Sequence, residues 1–205
     1  DAPIITDDLP LSSARAFSID DSATTEIDDA LSVQGLGSGE VLVGIHIAAP
    51  GLAITPGSVI DQMGRNRLST VYMPGHKITM LPDHVVQQYT LSEGRDCPAV
   101  SLYVTVNETT LEITSSQTKI ERVHIADNLR HDQLDHVVTL SWLEDPTFSH
   151  AHDPLVLQHT RADLSFLHRL AKDLKAKREL VRGKPETFNR PDYSYRLERP
   201  LDAQG

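Results

Sequence analysis

Residues 20–29, here called the acidic loop, concentrate side chains that could do chemistry: five carboxylates in ten positions. Four of them could face a single point: Asp20, Glu26, Asp28 and Asp29. Asp28 and Asp29 are consecutive and would lie on opposite faces of a regular strand, so a shared site requires the backbone to turn at this pair. So much negative charge in one place is tolerated only with cations or solvent between the groups.

The all-oxygen character of the acidic loop would suit a hard divalent cation. Mg²⁺ and Mn²⁺ take octahedral oxygen shells and keep some positions for water or a substrate phosphate. Two such ions about 4 Å apart can activate an attacking water and stabilise the leaving oxygen in phosphodiester hydrolysis. The spacing alone also allows a solvated acidic loop with no bound ion, which is the more common structure of Asp-rich segments. The spacing of an EF-hand calcium loop is absent from the sequence.

The elements that must position the acidic loop are indicated by periodicity and by turn residues. An apolar run at residues 16–19 leads into the loop. Residues 30–33 and 41–47 are predicted to form a two-stranded hairpin around the glycine-rich turn at residues 35–39. The carboxylates would therefore be displayed beside a sheet.

Helices and a further hairpin are predicted downstream. A serine cap and a proline predict short helices at residues 58–68 and 82–89. Alternation at residues 100–106 and 111–125 predicts a longer hairpin. An amphipathic helix is predicted over residues 153–183, where a capping Asp and a Pro precede spaced leucines. The predicted fold class is mixed α/β (α+β), a sheet flanked by helices.

Several segments resemble, in order, the signatures of one known family. The pattern Asp20-x5-Glu26-x-Asp28-Asp29-Ala30 is similar to the Asp-x5-Asp-x-Asp-Asp-Ala signature of the RNB family, the exoribonucleases of the ribonuclease II and ribonuclease R type. Further segments resemble its His-Ile-Ala-Asp, Pro-Gly-Ser-x-Leu-Asp, Arg-x-x-Ser-x-Tyr-Leu-Pro and Met-Leu-Pro motifs: residues 46–48, 56–61, 67–74 and 80–82. The similarity continues more weakly to residues 190–193.

The resemblance implies an activity and a cofactor. Members of the RNB family remove nucleotides one at a time from the 3′ end of single-stranded RNA and release nucleoside 5′-monophosphates with Mg²⁺, for which Mn²⁺ is an alternative. Carried over by position, the catalytic and metal-binding carboxylates are Asp20, Glu26, Asp28 and Asp29. The chain is expected to be the N-terminal half of an RNB catalytic domain, residues 16–205, after a linker or arriving strand at residues 1–15.

Three further residues are implied to contact RNA. Tyr72 matches the aromatic residue that stacks on the terminal bases, and stacking is a sequence-tolerant way to hold a single strand. A strand residue packed in the core is the alternative for Tyr72. Arg67 is expected to touch the RNA backbone. His131 occupies a place where relatives often have an RNA-contacting Tyr, which leaves discrimination of RNA from DNA open.

The sequence departs from the family pattern at several points. Glu26 stands where better-known members have Asp, and Ala49 replaces the Asp of His-Ile-Ala-Asp. The segment that supplies a catalytic Arg, the rest of the RNB domain and the flanking RNA-binding domains are expected elsewhere in the parent protein. The alternative is a catalytically inactive RNB-like scaffold that binds RNA or a protein. Retention of four carboxylates argues against it. A third hypothesis is a metal-binding or phosphatase-like domain of unknown substrate.

Composition restricts the class of protein more than its function. The net charge is −10, with 29 acids against 19 bases, yet a carboxylate-rich enzyme can still bind a polyanion through its metals. The single Cys97 excludes an intramolecular disulfide and permits a cytoplasmic location. No apolar run is long enough for a bilayer, so no membrane association is expected. His150, His152 and His159 are interpreted as surface or capping residues and not as a zinc site.

Overall fold

The longer strands of the protein close into a barrel. A computed structural model describes residues 8–186 apart from Pro74, Pro146 and residues 149–154. The barrel strands are β1 (Leu11–Asp20), β2 (Asp29–Gln34), β3 (Glu40–Ala48), β6 (Asp96–Asn107) and β7 (Ile113–Arg130). Two short strands, β4 (Val71–Met73) and β5 (His76–Ile78), form a separate sheet. The helices are a 3-10 turn (Pro50–Ala53), α1 (Val59–Arg67), α2 (Asp83–Tyr89), α3 (His131–Asp135), α4 (Leu140–Glu144) and α5 (Leu155–Arg182).

The strand order around the barrel is β1-β2-β3-β6-β7, and the last strand returns to the first. Neighbours are antiparallel except β1 and β7, which are parallel, with Asp20 opposite Arg130. The predicted mixed α+β class is confirmed. Closure into a barrel was not predicted, because it depends on pairing between segments more than a hundred residues apart, which local periodicity does not show.

Most predicted elements are confirmed, with longer bounds for the strands. The cap of α1 is Ser58, whose hydroxyl accepts a hydrogen bond from the Asp61 N–H at 3.2 Å. No residue of α1 is buried, and Val59 is 76% exposed. β1 begins at Leu11 and Ala14 is buried, so residues 11–15 of the predicted linker or arriving strand are barrel strand. The predicted cap of α5 and residues 190–193 lie outside the described residues.

Helix α5 covers one side of the barrel. Phe166 and Leu170 pack against the outward-facing Val41, Val43 and Val106, which belong to β3 and β6. A second cluster joins the same helix to α3, α4, β1 and β7: Phe17, Leu129, Leu134, Trp142, Leu157 and Leu164. The side chains that α5 buries match its amphipathic period. Within the part of the chain that the structure describes, no helix is both long and apolar enough to cross a membrane.

The barrel interior is apolar at one end and polar in the middle. The apolar end contains Ala16, Ala30, Cys97, Ala99, Val123 and Ile125, all buried. In the middle, the fully buried His46 lies between the hydroxyls of Ser32 (Nε2 to Oγ, 2.9 Å) and Ser101 (Nδ1 to Oγ, 2.8 Å). Tyr103 meets the His46 ring edge-on at 5.6 Å and donates its hydroxyl to Glu121 at 2.7 Å. Burial raises the pKa of Tyr103 to about 12.

The buried His46 makes the stability of the barrel dependent on pH. Burial lowers the pKa of His46 from 6.5 to about 4. As the pH falls from 6.5 towards 4, the unfolded chain gains a proton at this residue that the folded chain does not accept. The free energy of unfolding should therefore fall over this window, by an amount on the order of 3 kcal/mol from His46 alone.

Urea unfolding at pH 7 and pH 4.5, followed by the fluorescence of the single Trp142, measures this loss. His46→Gln removes the titration and keeps hydrogen-bonding capacity, so the variant should lose less stability between the two pH values than the parent. The exposed His84 provides the control, and His84→Gln should behave as the parent. Equal losses in the parent and His46→Gln would contradict the prediction.

Candidate functional site

The acidic loop connects β1 to β2 at one end of the barrel. Arg130, the last residue of β7, closes the loop from the side: its Nη1 donates to the Asp21 carbonyl at 3.0 Å and the Thr24 carbonyl at 3.2 Å. The Thr24 N–H also bonds the Asp21 carbonyl at 2.9 Å, which makes a tight turn. Because Arg130 lies opposite Asp20 in the barrel, the register of β1 with β7 fixes the start of the loop.

The second half of the loop is held by its backbone. Ile27 is buried, its N–H donates to the Thr90 hydroxyl at 2.8 Å, and its carbonyl accepts from the Leu91 N–H at 2.9 Å. One residue later, the Asp28 carbonyl accepts from the Ala48 N–H at 2.8 Å. These bonds join the loop to β3 and to the segment after α2, so the backbone around Asp28 is held by neighbouring elements of the fold.

Asp20 is oriented by two residues that sequence reasoning missed. The buried Ser18 donates its hydroxyl to Asp20 Oδ2 at 2.6 Å. Asn128 on β7 donates Nδ2 to Ser18 Oγ at 2.9 Å and to the Leu91 carbonyl at 3.0 Å. Asn128 lies far from Ser18 in sequence, and no local pattern links the pair to Asp20. Both are positioning residues, since they act on Asp20 and not on a ligand.

The charges of the four predicted carboxylates act on one another at Asp28. The pKa of Asp28 is raised, first by partial desolvation and then by the negative charges of Glu26, Asp29 and Asp20, whereas Lys77 lowers it. The loop thus brings all four within electrostatic reach. In the described part of the chain, however, no three acidic, histidine or cysteine side chains are close enough to hold one metal ion together.

Glu26 is already engaged by a cation from the protein itself. Lys77 on β5 lies 2.8 Å from Glu26 Oε1, and its Nζ also donates to Thr25 Oγ1 at 2.7 Å. The other carboxylate oxygen, Oε2, is 3.4 Å from the Thr70 hydroxyl. The sequence contained no signal for this ion pair, because the two residues are 51 positions apart and belong to different elements.

Two cavities meet beside the loop. The larger, of about 350 Å³, is lined by Glu26, Asp28, Ala48, Pro50, Thr70, Tyr72, Met80, Leu81, Val85, Val86, Tyr89 and Thr90. The smaller, of about 220 Å³, is lined by Asp21, Ala23, Thr24, Thr25, Glu26, Tyr72 and Lys77. Asp28 therefore borders a recess with mostly apolar walls, whereas Asp20 and Asp29 line neither recess.

The residues predicted to contact RNA are placed differently from one another. Tyr72 is 73% exposed and borders both cavities, so it is not a packed core residue. The Arg67 guanidinium donates to the Thr79 carbonyl at 2.7 Å and so joins α1 to the segment after β5. His131 is exposed at the start of α3, directly after Arg130. Of the three histidines in the weak zinc pattern, only His159 falls among the described residues, where it is exposed on α5.

The fold and the site together define a mixed α+β barrel domain with clustered carboxylates beside a recess. The model of the RNB domain matches residues 9–204, and the chain therefore belongs to the RNB domain family. It is 35% identical over 99 residues to an uncharacterized ribonuclease of Synechocystis, which covers 48% of this chain and 15% of that protein. It is 36% identical over 110 residues to exoribonuclease 2 of Vibrio cholerae. The aligned residues make up 53% of this chain and 16% of that protein.

Solved structures share the fold. Yeast Ssd1, described as a pseudonuclease, aligns with a TM-score of 0.67 and 22% identity over 89% of this chain and 20% of that chain. Ribonuclease R of Mycoplasma genitalium, in complex with ribose-methylated single-stranded RNA, aligns with a TM-score of 0.65 and 18% identity. The alignment covers 83% of this chain and 26% of that chain. The chain spans less than a fifth of the length of the curated relatives described above.

Proposed function

We propose that this chain forms part of a metal-dependent exoribonuclease that hydrolyses single-stranded RNA from the 3′ end to nucleoside 5′-monophosphates. The observation that carries the proposal is the position of Glu26 and Asp28 at the edge of a recess, where desolvation and then the charges of Glu26, Asp29 and Asp20 raise the pKa of Asp28. Clusters of like-charged side chains are typical of sites that bind cations or phosphates. Membership of the RNB family, whose curated relatives include exoribonuclease 2, supports RNA as the substrate.

The donors fit a divalent metal by their chemistry. Asp20, Asp28 and Asp29 offer only carboxylate oxygens, the ligands that Mg²⁺ and Mn²⁺ prefer, and Glu26 offers two more once Lys77 leaves it. When bound, such ions supply the positive charge that activates water and stabilises a leaving oxygen. The role proposed for the four carboxylates is to hold that charge together, with Glu26 and Asp28 at the edge of the recess and Asp20 and Asp29 within electrostatic reach of them.

The other residues of the site have supporting roles in this proposal. Ser18 and Asn128 orient Asp20 through the hydrogen bonds described above. Tyr72 offers an exposed ring on which a base can stack, and stacking holds single strands of any sequence. Arg67 would touch the RNA backbone, and His131, at the start of α3, would contact RNA. The rest of the RNB domain and flanking RNA-binding domains would complete the enzyme, because a developing phosphate charge needs further cationic groups.

Incubation of the full-length protein with 5′-labelled single-stranded RNA tests the proposal. We expect stepwise shortening from the 3′ end with Mg²⁺ or Mn²⁺ and none with EDTA. The isolated 205-residue chain should shorten the RNA far more slowly, because the resemblance implies a catalytic Arg supplied by a different segment of the parent protein.

Equal shortening with and without EDTA would remove the metal from the proposal. RNA binding without any shortening by the full-length protein would instead favour the inactive scaffold. Turnover by the isolated chain at the rate of the full-length protein would show that these residues are catalytically sufficient.

A further inference from the structure

The ion pair between Lys77 and Glu26 places an ammonium group inside the acidic loop. Lys77 Nζ contacts both Glu26 Oε1 at 2.8 Å and Thr25 Oγ1 at 2.7 Å. The Glu26 side chain is only 11% exposed and that of Lys77 is 33% exposed. An exposed ion pair contributes little to stability, but removing one partner of a largely buried pair leaves an uncompensated charge. Glu26 therefore requires a cation, and Lys77 supplies it here.

Lys77 also lies in the same hairpin as the exposed Tyr72. The two residues are directly opposite each other in the β4–β5 hairpin. That hairpin is a sheet of its own within the described residues, with three residues in each strand, and a two-stranded sheet is marginally stable in isolation. Contacts of Glu26 with Lys77 and Thr70 are thus among the bonds that hold the hairpin against the acidic loop.

A divalent cation bound to Glu26 would meet Lys77 at the same oxygen. Two cations cannot both lie within bonding distance of Glu26 Oε1 without strong repulsion. Either the ammonium group withdraws or the metal binds the remaining carboxylates without Glu26. Withdrawal of Lys77 would remove its bonds between the hairpin and the loop. By linkage, the contact of Lys77 with Glu26 weakens metal binding by the same factor by which metal binding weakens that contact.

We propose that Lys77 is the resident cation of the acidic loop and competes with the divalent metal for Glu26, so that metal binding releases the Tyr72 hairpin from the loop. This inference rests on the proposed function, because it assumes that the loop binds a divalent metal. Lys77 is a positioning residue in this scheme: it acts on Glu26 and on the hairpin, and not on the reacting atoms.

Titration of the 205-residue chain with Mn²⁺, followed by calorimetry, tests the competition. Lys77→Met should tighten Mn²⁺ binding by at least about fivefold, the lower end of typical coupling between sites. Lys77→Arg keeps the charge and can bind the carboxylate through two donors, so it should bind Mn²⁺ no more tightly than the parent. Thr25→Val removes the second acceptor of Lys77 but no carboxylate, and should tighten Mn²⁺ by a smaller factor than Lys77→Met. Circular dichroism checks that each variant is folded.

A double-mutant cycle shows whether the effect passes through Glu26. In a Glu26→Gln background, Lys77→Met should tighten Mn²⁺ binding by a clearly smaller factor, because the contested oxygen has lost its charge and only the weaker effect of Lys77 on Asp28 remains. Tightening of the same size in both backgrounds would overturn competition at Glu26. Parent and Lys77→Met binding Mn²⁺ equally would overturn the inference and leave the proposed function intact. Absence of Mn²⁺ binding by every variant would count against the metal role of the loop, and the inference would fail with it.

Hydrogen exchange gives the readout for the hairpin. In metal-free protein, the peptide covering residues 71–78 should exchange faster in Lys77→Met than in the parent, since one of its bonds to the loop is gone. Saturating Mn²⁺ should speed the same peptide in the parent. Exchange that is slowed by Mn²⁺, or unchanged by both treatments, would overturn the proposed release of the hairpin.

Discussion

Asp28→Asn in the full-length protein should lower single-turnover RNA hydrolysis by at least about a hundredfold, because losing a catalytic metal contact costs roughly 3 kcal/mol or more. Asparagine keeps the size and one oxygen but cannot carry the charge that holds a divalent cation. RNA binding should survive or tighten, since Tyr72 stays exposed and one negative charge facing the phosphates is removed. Cleavage rates and an equilibrium binding titration at matched salt and Mg²⁺ measure the two effects.

Asp21 provides the matched control for this change. It lies in the same loop, its carbonyl and not its carboxylate bonds Arg130, and it is outside the predicted set of four. Asp21→Asn should cleave within about threefold of the parent, a difference under 1 kcal/mol. Cleavage by Asp28→Asn at a rate similar to Asp21→Asn would mean that Asp28 does not hold the metal.

Gly44→Ala should destabilise the barrel by about 3 kcal/mol, at the upper end of the usual cost of overpacking a core. Gly44 lies on β3 beside the buried polar interior, and an added methyl group would collide with Ser32 Oγ and lie 2.6 Å from His46 Nε2. Those two atoms are hydrogen-bonded to each other, so relieving the collision would also break a buried bond. Urea unfolding followed by Trp142 fluorescence measures the change.

Gly51→Ala is the control for the glycine substitution. A methyl group there meets no atom within 4 Å, and the backbone of Gly51 does not need a left-handed conformation. Its free energy of unfolding should remain within about 0.5 kcal/mol of the parent. A loss at Gly44 no larger than that at Gly51 would show that the barrel interior can move to accept the extra carbon.

The features that the sequence predicted well depend on neighbours a few positions away. The Ser58 cap and the glycine-rich turn before β3 follow from side chains and backbone conformations that act within one turn. α3 and α4 were missed because five residues are too few to show a helical period. The acidic loop stood out because its carboxylates are close in sequence as well as in space.

The features that the sequence did not predict depend on distant residues. Nothing near Lys77 indicates a partner in the acidic loop, and nothing near Asn128 indicates that it orients Asp20 through Ser18. His46 was read only as part of a motif, although it is buried between two serines from neighbouring strands. Such contacts exist only once the barrel has closed.

The parallel pairing of β1 with β7 also sets the order in which the site can come into being. Asp20 is opposite Arg130, so the acidic loop leaves the ribosome long before the strand that closes it. Contacts between such distant segments form late in folding, because a large loop must be closed before they are gained. A nascent chain interrupted before β7 therefore contains the carboxylates but lacks the strand that closes the barrel beside their loop. The proposed nuclease activity would require the completed barrel.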